Sequence, residues 1–162
     1  MTDTKIEKRF VYDGFGFALV LHDVPMIKIR GAWTPKLDYN KLARVVILAL
    51  ARKAARLTGH EIYFIRHYFE MTLETFGKRF DVSHPAVHKW EGAGNKVPSL
   101  KWPVEKDIRL FILDRLHVRP TEFKGAYESL REEAKAGAKP IEMNVANAER
   151  VSTLTADITV AL

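Results

Sequence analysis

The segment from Met71 to Glu91, MTLETFGKRFDVSHPAVHKWE, constrains the fold of this 162-residue chain more than any other. Its first half begins with Thr72, a residue type that caps helices. The apolar residues Leu73, Phe76 and Phe80 follow at helical spacing. Asp81-Val82-Ser83 then predicts a turn, because aspartate tolerates the left-handed backbone and serine caps a following helix. We therefore expect two short helices, at about 72–80 and 84–91, joined at a tight angle.

The second of these helices has an unusual polar face. Ala86, Val87 and Trp90 are spaced to pack inward, which leaves four residues outside. Those four are His84, Pro85, His88 and Lys89. Imidazole donates or accepts hydrogen bonds, and lysine reaches guanine edges or phosphate. Such a face is a poor core face and favours insertion into a DNA groove.

Ten positions of this segment resemble, in order and without a gap, the phage-repressor (Xre-type, lambda-repressor-like) helix-turn-helix family. They are Met71, Thr72, Phe76, Gly77, Phe80, Val82, Ser83, Val87, Trp90 and Glu91. The resemblance implies a five-helix bundle that places its third helix in the major groove. Leu73 and Asp81 depart from the family pattern, which has a glutamine and a glycine at these places.

The resemblance also implies a set of DNA-contacting residues. The residues expected to contact base edges are His84, Pro85, Ala86, His88 and Lys89. Those expected to contact backbone phosphates are Thr72, Ser83, Asn95 and Lys96. The last two lie in the loop 92–99, for which a flexible glycine loop is an equally good interpretation. We expect a homodimeric repressor that binds double-stranded DNA with inverted half-sites.

Other chemistry has little support in the sequence. His84 and His88 have the spacing of a two-histidine metal site, but Glu91 falls elsewhere on the helix and no third ligand is near. We predict no metal and no cofactor. The chain has no cysteine, which excludes disulfides and thiolate metal sites. No catalytic motif is assembled, so we do not expect an enzyme.

Residues 1–57 predict a small antiparallel β module followed by a helix. Strand-forming residues cluster at 9–13, 17–22 and 26–30, with turns expected at 13–14 and 23–25 and the last strand ending at 33–35. Asp38 then starts a helix that runs to about Leu57. Its basic residues are Lys41, Arg44, Arg52, Lys53 and Arg56. We favour an ordinary solvated face for them over phosphate contacts.

Residues 58–118 predict the DNA-binding domain, and 119–162 a C-terminal helix with a strand-like tail. Thr58 and Glu61 form a capping-box pattern before the first helix of the bundle. One helix or a helix pair over 103–116 closes its core. A further helix is expected from Pro120 to near Gly137, and short strands are expected in 139–162. The fold class is mainly α, and α+β overall.

The composition suits a polyanionic partner. The formal net charge is +6 at pH 7 and the pI is near 9.5, with the basic excess before residue 58. Phosphate contact and solubility explain that excess about equally well. No signal peptide is visible, and the longest apolar run, 45–51, is too short to span a bilayer. We expect a cytoplasmic protein with no membrane contact.

A second, looser resemblance concerns the N-terminal part. A hairpin, a helix with a basic stretch and then the sequence 56–66 resemble bacterial regulators of the antitoxin class. This implies an alternative function, an antitoxin that binds a toxin protein and represses its own operon. The tail or the N-terminal strands would then contact the toxin.

Overall fold

The computed structural model describes residues 2–134 and 140–146. The described part is a mixed α/β structure with six helices and a four-stranded sheet. The strands are β1 (Thr4–Tyr12), β2 (Leu19–Ile29), β3 (Ala32–Pro35) and β4 (Ile141–Asn144). The helices are α1 (Tyr39–Arg52), α2 (Gly59–Tyr68), α3 (Leu73–Arg79), α4 (His84–Glu91), α5 (Trp102–Arg115) and α6 (Pro120–Ser129).

Strand β2 pairs with each of the other three strands. β1 and β3 are antiparallel to it, whereas β4 is parallel to it. The antiparallel arrangement of the N-terminal strands is as predicted, but the predicted strands 17–22 and 26–30 form one strand, β2, and residues 33–35 form most of β3. β3 follows a two-residue turn in which Arg30 and Gly31 have φ of 49° and 83°. Two left-handed residues are typical of a type I′ turn, which matches the twist of a hairpin.

The bend expected at residues 23–25 is wrong, because β2 runs through it. Leu19 and Leu21 join the same hydrophobic core as Val24 and Met26. In a regular strand, side chains alternate between faces, so these two pairs would point in opposite directions. Asp23 has a φ of 54°. This left-handed residue shifts the alternation, and both halves of the long strand therefore face the core.

The predicted caps of α1 and α2 are confirmed. Asp38 Oδ1 accepts from the backbone N–H of Asn40 and of Lys41, each at 3.1 Å. Thr58 and Glu61 form the full capping box, with N–H to side-chain oxygen distances of 3.3 and 2.9 Å. α1 ends at Arg52, earlier than the predicted Leu57, and an extended segment leads to α2.

One hydrophobic core joins the sheet to the helices. Residues 45–51 of α1 are all buried, so this stretch is covered on every side. Leu21 of β2 and Ile108 of α5 belong to the same cluster, as do Phe76 of α3 and Val87 of α4. The sheet and α1 are therefore a direct support for the helices that follow.

The segment after α1 carries a buried ion network. The expectation of a solvated face is wrong for Lys53 and Arg56, which are 2% and 9% exposed. Lys53 Nζ lies 2.6 Å from Glu61 Oε1 of α2. Arg56 Nε and Arg109 Nη2 lie 2.5 and 2.8 Å from the two carboxylate oxygens of Glu105. The predicted domain boundary after residue 57 thus passes through this network.

The network also satisfies the backbone of that extended segment, which lacks helical hydrogen bonds. Arg109 donates to the carbonyls of Lys53 and Ala55, and the backbone N–H of Leu57 donates to Glu105 Oε1 at 3.0 Å. Burial lowers the pKa of Arg109, and the charge of Glu105 acts in the opposite direction. A buried cation and a buried anion are tolerated here because each has several partners.

The C-terminal part contains less helix than predicted. Residues 102–115 form one helix, and α6 ends at Ser129 rather than near Gly137. β4 is the expected strand, and it pairs with β2 of the same chain. The apolar run at 158–162 lies outside the described residues. Among the described helices, none has the length and apolar character needed to cross a membrane.

Candidate nucleic-acid interface

Helices α3 and α4 are joined by a turn that only a glycine on α3 allows. A Cβ built on Gly77 would lie 2.6 Å from the carbonyl oxygen of Val82, closer than real Cβ atoms approach. The backbone N–H of Val82 donates to the Gly77 carbonyl at 2.9 Å. The turn therefore lies directly on α3, and this contact fixes where α4 begins.

The cap and turn residues expected around α4 are confirmed. Ser83 Oγ accepts from the backbone N–H of Ala86 at 3.3 Å, and Thr72 Oγ1 caps α3 by accepting from Thr75 at 3.1 Å. Asp81 has a φ of 56°, in the left-handed region where the family pattern has glycine. The local sequence thus specifies both helix starts and the angle between the helices.

Helix α4 separates into a buried and an exposed side. Val87 and Trp90 are 0% and 6% exposed and pack into the core, as predicted. The residues on the opposite side are exposed; they are His84, Pro85, His88 and Lys89. Ala86 is half-buried and lies at the border. The structure thus brings four of the five residues expected to contact bases onto one exposed face, which contains no carboxylate.

The residues expected to contact phosphates lie on both sides of α4. Thr72 and Ser83 are exposed, and each hydroxyl accepts a capping hydrogen bond. Thr72 Oγ1 also lies 3.0 Å from Thr75 Oγ1, within hydrogen-bond distance. Asn95 and Lys96 are exposed in the loop after α4. That loop is tied to α2, because the N–H of Gly59 donates to the Lys96 carbonyl at 3.1 Å.

An ion pair between α2 and α4, which the sequence analysis missed, holds the end of α4. Arg66 Nε and Nη2 lie 2.6 and 3.1 Å from the two carboxylate oxygens of Glu91. Arg66 also donates to the Met71 carbonyl at 2.9 Å. Both side chains are about one-tenth exposed. A signal existed in the position of Arg66, which directly follows the apolar pair Phe64-Ile65 and is itself buried.

The outer face of α2 was also missed. His60, Tyr63 and His67 are three and four residues apart, so they share one side of the helix. Tyr63 is 47% exposed, and its ring lies 3.8 Å from that of His67, centroid to centroid. His60 Nδ1 lies 3.1 Å from Asn95 Oδ1. Helical spacing of polar residues, rather than of apolar ones, would have revealed this face.

Charge near α3 is locally balanced. A hydrogen bond from Lys78 lowers the pKa of the exposed Glu74 carboxyl, and His84 at the start of α4 acts in the same direction. Lys78 Nζ and Glu74 Oε1, which are four residues apart on α3, lie 2.9 Å from each other. Within residues 2–134 and 140–146, no three His, Asp or Glu side chains are arranged to hold a metal ion.

Comparisons with known proteins assign no family to this chain. No family model matches it, and neither a curated protein nor a solved structure matches it. The resemblance to repressor-type helix-turn-helix proteins therefore depends on the residues of 71–91.

Proposed function

We propose that this protein is a sequence-specific DNA-binding transcriptional regulator, and a repressor, that inserts α4 into the major groove. One observation carries the proposal. α4 packs Val87 and Trp90 inward while His84, His88 and Lys89 form an exposed face without a carboxylate. A short helix of this kind, held after a tight turn, is what a helix-turn-helix places against base edges.

The chemistry of this face suits base edges. Lys89 is a donor for guanine O6 and N7, and the two imidazoles, His84 and His88, offer both donors and acceptors. Pro85 and Ala86 supply apolar contact for a thymine methyl group. Each good base contact contributes roughly 1–3 kcal/mol of discrimination, so one such helix provides modest specificity.

Phosphate contacts would come from either side of α4. Thr72 and Ser83 donate hydroxyl hydrogens at the starts of the two helices, and Lys96 supplies a cation after the second. Asn95 would contact a phosphate through its amide group. The net charge of +6 favours association with DNA, and each neutralised phosphate makes the affinity more dependent on salt.

The repressor-like bundle that we propose would consist of helices α2 to α6. Residues 58–118 contribute four helices, α2 to α5, because 102–115 is one helix. We assign α6, which packs against α5, as the fifth helix of the bundle. The sheet and α1 are then an N-terminal addition that shares its core.

A homodimer is part of the proposal. One α4 contacts only a few base pairs, whereas two copies related by two-fold symmetry double the contact. Their half-sites would be inverted and about one helical turn apart.

Selection of bound duplexes from a random pool tests this function. The expected product is an inverted repeat whose affinity falls steeply as salt is raised, with a slope that counts the phosphate contacts. Selected sequences without a common motif would contradict sequence-specific binding. Failure to retain any DNA at low salt would contradict nucleic-acid binding altogether.

A toxin-binding role is the second candidate, favoured by the edge of the sheet. In the described part of the chain β1 pairs only with β2, so its other side is open. Ile6 and Ile29 on the sheet are 62% and 50% exposed. β1 has nine residues whereas β3 and β4 have four each, so β1 offers the longest open edge and is the strand a toxin would extend. Co-purification with the product of an adjacent gene, lost in the Ile6→Lys variant, would support toxin binding. A protein that purifies without any such partner would count against it.

A further inference from the structure

We propose that the exposed face of α2 is a second DNA contact, on which the Tyr63 hydroxyl donates a hydrogen bond to a backbone phosphate. This face, formed by His60, Tyr63 and His67, is called the α2 face below. The inference depends on the proposed DNA-binding function, because its ligand is the same duplex that α4 contacts. It assigns the α2 face a role in affinity and none in base recognition.

The α2 face lies beside the exposed face of α4. Gly59, four residues before Tyr63, packs so closely that an added Cβ would lie 2.5 Å from the Trp90 carbonyl oxygen. Arg66, three residues after Tyr63, binds Glu91. Residues on the two flanks of Tyr63 thus contact the last turn of α4.

The side of α4 that borders the α2 face is its histidine side. Glu91 follows His88 by three residues and His84 by seven, so these three lie along one side of the helix. Because Arg66 of α2 binds Glu91, the surface of α2 continues the row of exposed histidines. A phosphate strand that flanks the groove occupied by α4 therefore passes close to α2.

Tyr63 is held in one orientation on this surface. Its ring stacks on His67 at a 3.8 Å centroid distance and a 32° interplanar angle. The guanidinium carbon of Arg66 lies 5.6 Å from the same ring. His67 Nδ1 is 2.9 Å from the Tyr63 carbonyl, which only accepts, so this nitrogen carries the hydrogen. The hydroxyl is therefore presented to solvent from a braced ring.

The ligand is identified by chemistry and by continuity. Tyrosine hydroxyls are common donors to phosphate, and none of the three residues of the α2 face is acidic. Arg66 and Glu91 neutralise each other, so the one carboxylate of α4 is paired. His60 connects the α2 face to Asn95, itself expected at a phosphate. These features fit a sugar–phosphate backbone.

Tyr63→Phe is the test, because it removes only the hydroxyl and keeps the stacked ring. Binding to the selected operator should weaken roughly threefold to tenfold, the value of one hydrogen bond. The slope of affinity against salt should stay the same, because a phenol displaces no counterion. Tyr127→Phe on α6 is the matched control, since Tyr127 is 51% exposed, and it should bind like the wild type.

A second variant tests the brace. His67→Ala should weaken binding to a similar degree, and adding it to Tyr63→Phe should cost little more, because both act through one contact. Wild-type affinity of Tyr63→Phe for the operator would overturn this inference and leave base contact by α4 standing. A wild-type protein that binds no DNA would overturn the inference together with the proposed function.

Discussion

Arg66 and Glu91 join α2 to the last turn of α4 through two contacts, of 2.6 and 3.1 Å. A two-point contact between a guanidinium and a carboxylate fixes orientation as well as distance. Since both side chains are about one-tenth exposed, solvent screens the pair weakly. The orientation of α4, and with it the proposed DNA-contacting face, depends on this pair.

Removing one member of the pair should be costly. Glu91→Ala leaves Arg66 partly buried without its anion, and we expect a loss of about 3 kcal/mol in the free energy of unfolding, measured by urea denaturation. Arg79 and Asp107 form a comparable but exposed pair at 3.3 Å, so Asp107→Ala is the control and should cost less than about 1 kcal/mol. Equal losses in the two variants would show that the Arg66 pair is not structural.

The contact of the turn with α3 predicts a difference between two glycines. Gly77→Ala should destabilise the protein by about 1–3 kcal/mol, because its Cβ would lie 2.6 Å from a backbone oxygen that cannot move freely. Gly125→Ala on α6 is the control, since a Cβ there meets nothing within 4 Å. That change should stabilise α6 by roughly 0.5–1 kcal/mol. The unfolding temperatures of both variants measure this difference in stability. A Gly77→Ala protein as stable as the wild type would contradict the tight turn.

The left-handed backbone at Asp81 predicts which residues are accepted there. Asp81→Val should destabilise by about 1–2 kcal/mol, because a β-branched side chain is strained at a φ of 56°. Asp81→Gly should keep or raise the unfolding temperature and, by removing a carboxylate near the proposed phosphate contacts, should strengthen the proposed DNA binding. Calorimetry and a binding titration measure the two effects. A valine variant as stable as the wild type would refute the assigned conformation.

The buried network predicts unequal roles for two glutamates that bind the same arginine. Glu105→Gln leaves Arg56 and Arg109 buried without a full negative charge, and we expect a loss of about 3–5 kcal/mol in unfolding free energy. Glu133 also lies 2.6 Å from Arg56 but is 60% exposed, so Glu133→Gln should cost less than about 1 kcal/mol. Denaturation curves of the two variants provide the comparison. Similar curves would mean that burial does not determine the strength of this network.

Local sequence signals predicted much of the helical part. Asp38, Thr58 and Ser83 each mark a helix start that the structure reproduces, because a cap depends on residues within one turn. Trp90 was correctly expected in the core, since its spacing from Val87 places both on one side of α4. Such features are local and can be recognised without knowing the rest of the fold.

Non-local features could not be predicted in the same way. β4 pairs with β2 across more than a hundred residues, and nothing in either segment specifies that partner. Lys53 and Arg56 resemble a solvated face, and only the positions of Glu61 and Glu105 on other helices make their burial possible. Asp23 was interpreted as a turn, whereas its left-handed backbone serves to keep one long strand facing the core.

The most direct test of the central claim is the operator preference of a variant altered only on the exposed face of α4. His88→Ala/Lys89→Ala should unfold like the wild type but lose its preference for the selected inverted repeat over scrambled DNA, as measured by footprinting and competitive titration. Thr121→Ala/Lys124→Ala removes an equivalent exposed pair on α6 and should keep that preference. An unchanged footprint with the α4 variant would contradict base recognition by this helix.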